Sequence, residues 1–138
     1  MRSFVRALPS ELSRPLPEAL ARLTPAADGR AGRSEEGRVG PGAERTIRRL
    51  ADLASLLERR SPTGKCLRRS LLRYHYLRRA GVPLELRFGA RTDAAPADDP
   101  ERRLTAHAWV TLDGRPYHEP AANVEGYVVV LAWPPPAA

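Results

Sequence analysis

The chain has 138 residues, 42% of them hydrophobic and 28% charged, which suits one domain with a buried core of its own. Its single cysteine excludes an internal disulfide, no Cys/His spacing of a structural zinc site occurs, and no cofactor is expected. The formal charge of +7 raises nucleic acid as a partner, but aromatic residues at 6% offer few stacking platforms, so the basic surface is read as suited to an acidic peptide or protein instead.

In chain order, Phe4, Val5, Leu8, Leu12, Leu16, Leu20 and Leu23 are the apolar positions of one or two short helices, broken at Pro9 and around Pro15 and Pro17. With Pro9, Glu11, Arg14 and Pro15 interrupting it, this segment lacks the apolar run of a signal peptide. Nowhere does the chain approach the roughly 18 to 20 apolar residues that span a bilayer. A cytoplasmic, soluble protein with no membrane partner is expected. Residues 24–43, rich in Gly, Ala, Arg and Pro, read as a linker, so the chain divides into a helical segment with linker over 1–43 and a catalytic domain over 44–138.

From Glu44 to Arg60, Ile47, Leu50, Ala51, Ala54 and Leu57 recur at the spacing of one helical face. Ser61-Pro62-Thr63-Gly64 stops that helix, and Ser61 or Thr63 is positioned to cap the next, over 65–80. There Leu67, Ser70, Leu71, Tyr74 and Leu77 line one face while Leu72 and Tyr76 begin another, which predicts a central, largely buried helix ending at Gly81. The period then changes to alternation: Leu84, Leu86 and Phe88 mark a first strand, 104–112 a second, 115–119 a third and 126–133 a fourth. A polar loop between the first two holds Asp93, Asp98, Asp99 and Glu101, none in a metal-ligand arrangement. Helices first and an antiparallel sheet afterwards make an α+β domain.

The chemistry centres on Cys66. Thiolate is the nucleophilic form, and a cysteine in the first turn of a helix meets unpaired N–H groups and the positive end of the helix dipole, with Lys65 and Arg68 adding charge nearby. The plain alternative is a small apolar filler, but a filler has no preference for the first turn after a Pro-Thr-Gly stop. Of the histidines, His75 lies mid-helix among arginines and His118 reads as structural. His107 stands in a strand between Ala106 and Ala108, with Trp109 next to shield an ion pair.

A third member follows from hairpin geometry. A three-residue Leu112-Asp113-Gly114 turn pairs Thr111 with Arg115 and His107 with Glu119, whose carboxylate then orients the imidazole. A two-residue Asp113-Gly114 turn pairs Glu119 with Ala108 instead and sends it to the other face, with His118 joining the His107 side. The chemistry favours the first register; propensity alone does not decide.

The string Lys65-Cys66-Leu67-Arg68-Arg69-Ser70-Leu71-Leu72, the Tyr-Leu-Arg-Arg-Ala-Gly-Val-Pro at 76–83, and Ala106-His107-Ala108-Trp109-Val110 with Asp113-Gly114-Arg115-Pro116 closely resemble the transglutaminase-like maturation peptidase of lasso-peptide biosynthesis, over roughly residues 45–133. The resemblance implies a papain/transglutaminase-like core and a cysteine peptidase that cuts the leader from a ribosomally made precursor. The freed amine then passes to an asparagine-synthetase-like cyclase. It implies a Cys-His-Asp triad carried onto Cys66, His107 and Glu119, with Glu standing where the family has Asp. It further implies the split form of the enzyme, which recruits a separate leader-recognition protein. Acyl transfer from the same cysteine to an amine, and a non-catalytic basic binding module, are the alternatives.

Overall fold

Among the described residues four helices precede four strands: α1 (Arg2–Glu11), α2 (Leu16–Leu23), α3 (Pro41–Leu57), α4 (Lys65–Arg79), β1 (Glu85–Thr92), β2 (Leu104–Leu112), β3 (Arg115–Pro116) and β4 (Val128–Trp133), with a 3-10 turn at Ala121–Asn123 before β4. This α+β order agrees with the sequence reading. The computed structural model describes residues 1–25, 37–92 and 104–135. The chain forms two compact units, Met1–Leu84 and Glu85–Ala138. Most of the expected linker, and the loop bearing Asp93, Asp98, Asp99 and Glu101, lie outside the described residues.

In the first unit α4 is the central element, with Leu71, Leu72, Tyr74 and Leu77 wholly buried. The N-terminal helices contribute to the same core: Val5 of α1 packs with Ala51 and Ala54 of α3 and with Leu72. The inward face of α3 agrees with the expected one at Ala51 and Ala54, which are buried. It departs at Leu50 and Leu57, which are about half exposed, and at Ser55, which is buried. Small residues let α3 approach α4 closely, and an ion pair fixes the rotation of the helix. The Arg73 guanidinium, nearly buried on α4, donates to both carboxylate oxygens of Asp52, from Nε at 2.6 Å and from Nη2 at 2.8 Å. Bidentate pairing of this kind is geometrically demanding, so it selects one helix orientation over its neighbours.

Helix α4 ends as its Gly81 predicts. Gly81 has φ +82°, Val82 N–H donates to the Leu77 carbonyl and Gly81 N–H to the Arg78 carbonyl, the double bond of a left-handed cap. A β-carbon at residue 81 would lie 2.5 Å from the Gly37 carbonyl oxygen, so glycine is required there twice over.

The second unit is one antiparallel sheet of order β3-β2-β1-β4. Glu85 pairs with Thr111 and Gly89 with His107 along β1 and β2, while β1 and β4 slip register between Phe88 and Gly89. The hairpin from β2 to β3 corrects the favoured sequence reading: Leu112 pairs with Arg115 and Thr111 with Pro116. The loop is therefore the two-residue Asp113-Gly114 turn. Both residues sit at positive φ, +51° and +76°, the backbone of a type I′ turn, whose twist matches that of the strands it joins.

Candidate active site

Cys66 is the second residue of α4 and is partly exposed. Its helix starts from Gly64, an extended residue, with no side-chain cap. The expected capping by Ser61 or Thr63 does not occur; the Ser61 hydroxyl accepts from Thr63 N–H and closes the preceding turn instead. Uncapped N–H groups at a helix start remain available to an anion.

The loop that delivers Cys66 is held from inside by Arg68, whose part goes beyond the nearby charge expected from the sequence. Arg68 is 5% exposed. Its Nε and Nη2 donate to the Ser55 carbonyl at 3.3 and 3.1 Å, and Nη1 donates to the carbonyls of Ser61, at 3.5 Å, and Thr63. One guanidinium thus ties the last turn of α3 to the segment that enters α4. The Ser55 carbonyl is among the unpaired groups at the negative end of α3, a favourable partner for a cation. The signal was present in the sequence: Arg68 lies three and four residues before Leu71 and Leu72, on their inward face.

In the second unit β2 carries His107, and the side chain of Glu119 meets it. The two are joined by a 3.0 Å hydrogen bond between Nε2 and Oε1, with the histidine side chain 15% and the carboxylate 3% exposed. A carboxylate accepts only, so Nε2 carries the proton of this bond. That assignment leaves Nδ1 as the nitrogen with a lone pair when the ring is neutral. Asn123 on the 3-10 turn adds a second, longer donor to the same Oε1, at 3.4 Å, a contact the sequence reading missed.

The Glu119 contact arises by a different route from the one expected. In the observed register Tyr117 still follows the ladder, its N–H donating to the Val110 carbonyl at 2.8 Å. His118 then enters the left-handed region at φ +48° and leaves the strand. Continued alternation would have sent Glu119 to the opposite face. The left-handed residue reverses that alternation and returns the carboxylate to the imidazole. His118 itself is exposed and packs edge-on against Tyr117.

The His107 ring is enclosed by aromatic neighbours. Trp109 stacks on it with centroids 5.7 Å apart at 19°, and Tyr127 lies 5.4 Å away at 42°. Cys66 belongs to the first unit and the His107–Glu119 pair to the second.

His75 serves packing. Its Nδ1 lies 2.7 Å from the Leu23 carbonyl and its ring is 4.6 Å from that of Phe4. Burial holds the imidazole below the usual histidine value, opposed by the Leu23 hydrogen bond and assisted by the charges of Arg79 and the N-terminus. The unfolded chain therefore binds this proton more readily. Stability is present above the ordinary histidine value and is lost as pH falls from there toward the lower folded value. The urea midpoint of the wild type is expected to drop more between about pH 7.5 and about pH 5.5 than that of His75→Gln; equal drops would remove His75 as the cause.

Among the described residues no group of three or more His, Cys, Asp or Glu side chains is placed to hold a metal ion, and no helix is long and apolar enough to cross a membrane. No curated protein and no solved structure matches the chain. A family model, described as transglutaminase-like superfamily, matches residues 12–132, a span that contains Cys66, His107 and Glu119. With a helix-start cysteine and a carboxylate-anchored strand histidine inside that match, the chain belongs to the transglutaminase-like superfamily.

Proposed function

We propose that this protein is a cysteine peptidase that removes the leader from a ribosomally made lasso-peptide precursor, with Cys66 as nucleophile, His107 as general base and Glu119 as the group that orients the imidazole. The observation that carries this reading is the His107–Glu119 bond: a buried carboxylate engages Nε2 and leaves Nδ1 to take a proton. The superfamily, whose members are typically cysteine peptidases or acyl transferases, supports a thiol mechanism.

The steps follow from these roles. Cys66 Sγ attacks the scissile carbonyl as its proton passes to His107 Nδ1. Collapse of the tetrahedral intermediate breaks the C–N bond, and the departing amine takes the proton from His107, leaving the leader as a thioester on Cys66. Water then attacks the thioester, again giving a proton to His107, and the leader leaves as a free acid while the thiol is restored. A separate leader-recognition protein supplies most of the substrate binding, and a cyclase consumes the freed core.

The test is intact-mass spectrometry of the acid-quenched reaction with precursor and the leader-recognition protein present. The expected species is the enzyme carrying the leader as a thioester of Cys66, together with free leader acid. A primary amine added to the reaction distinguishes the second activity of the superfamily: a leader amide in place of the acid means acyl transfer. Cleavage that persists unchanged after alkylation of Cys66 would contradict both.

A further inference from the structure

With Cγ tethered to the backbone, a hydrogen bond at Nε2 fixes one edge of the His107 ring but not the tilt of its plane. Nδ1, on the opposite edge, moves with that tilt. Something must therefore hold the ring faces, and the sheet supplies it around residue 89. Gly89 pairs directly with His107 across β1 and β2. A β-carbon there would lie 2.7 Å from Trp109 Cη2 and 2.9 Å from Tyr127 Cβ, so the space of the missing side chain is filled by those two residues. Their rings are 6.2 Å apart, and both lie against His107.

Trp109 is fixed by the strand that carries His107, but Tyr127 comes from outside the regular ladder, one residue before β4. Two features hold it in place. Gly126 has φ +79°, which turns the chain into β4 at that point, and the Arg91 guanidinium lies over the Tyr127 ring with Cζ 4.6 Å from the centroid. At this distance the cation is attracted to the negative face of the ring.

We propose that Tyr127 is a positioning residue for His107. Pinned by Arg91 and admitted by the glycine at 89, its ring works with Trp109 to hold the imidazole in the plane that presents Nδ1. This rests on the proposed role of His107 as base. It assigns to Tyr127 and Arg91 an effect on turnover that substrate binding does not share.

The test compares Tyr127→Leu, Tyr127→Phe and Arg91→Met with the wild type in two ways. In cleavage assays Tyr127→Leu is expected to lose roughly 10- to 100-fold in kcat with KM little changed, the scale of a misplaced catalytic group. Tyr127→Phe keeps the ring and should rescue most of that loss, while Arg91→Met should lose a few-fold. In long-range proton–nitrogen NMR spectra, which need no substrate, His107 of the wild type is expected to show one set of sharp ring resonances, which broaden in Tyr127→Leu as the plane of the ring is released. A Tyr127→Leu protein with wild-type kcat, or one no worse than Tyr127→Phe, overturns the proposal, as do unchanged His107 resonances. If Tyr127→Leu does not fold, Arg91→Met decides, and an unaltered kcat there overturns it. Full activity of His107→Ala would instead remove the peptidase reading, with the NMR comparison still reporting on Tyr127.

Discussion

Cys66→Ala is expected to lower leader cleavage by about 10⁴-fold or more while leaving the fold intact. The size follows from the mechanism, since without the sulfur no thioester forms and only the residual effects of binding remain. The fold survives because Cys66 lies in the first turn of α4, partly exposed, and is not among the buried core residues. Circular dichroism and a urea midpoint close to wild type should accompany the lost activity. Cys66→Ser tests the same point more sharply. It keeps nearly the volume of the thiol but not its acidity, and it should be nearly as inactive.

The largest expected effect on stability belongs to Arg68. Arg68→Met preserves much of the apolar stem and removes every donor, leaving the carbonyls of Ser55, Ser61 and Thr63 without it in a buried setting. Unsatisfied buried acceptors cost about 1 to 3 kcal/mol each, partly relieved by water, so a loss of about 3 kcal/mol is expected in urea unfolding. Arg68→Lys keeps the charge but offers a point donor in place of a fork, and it should recover only part of that loss. The segment from Ser61 to Gly64 should then exchange its amide protons faster in Arg68→Met than in the wild type. Unaltered exchange there would show that the clamp does not order the approach to Cys66.

Much of this arrangement was legible in the sequence, for reasons that differ from element to element. Strand β2 was predicted with its observed ends because alternation, β-branched residues and the following Asp-Gly all agree there. Helix α4 was legible because its apolar residues occupy two faces, as a central helix requires. The α3 face was misjudged in part. Leu50 and Leu57 have the right spacing, but the close approach of α3 to α4 needs Ala51, Ala54 and Ser55, and the Asp52–Arg73 pair sets the rotation. Composition-based reasoning places arginines outside, and nothing in a single sequence says that Arg73 has a carboxylate to meet.

The contact of His107 with Glu119 was anticipated with the wrong register. Two deviations from the anticipated strand pairing cancel: the shorter Asp113-Gly114 turn shifts the pairing by one residue, and the left-handed His118 shifts the side-chain alternation back. A positive φ at a histidine has no reliable local signature, so this compensation was not legible. Asn123 was missed because it reaches Glu119 from a short 3-10 turn, and Tyr127 because it lies outside the ladder, just after Gly126, and still packs against His107.

The central claim is that His107 acts on the sulfur of Cys66, and the rate of Cys66 alkylation tests it most directly. With iodoacetamide near neutral pH, the wild type is expected to react at least roughly tenfold faster than His107→Ala, because the imidazole accepts the proton that the attacking sulfur gives up. Equal rates in the two proteins, with both folded, would contradict the account.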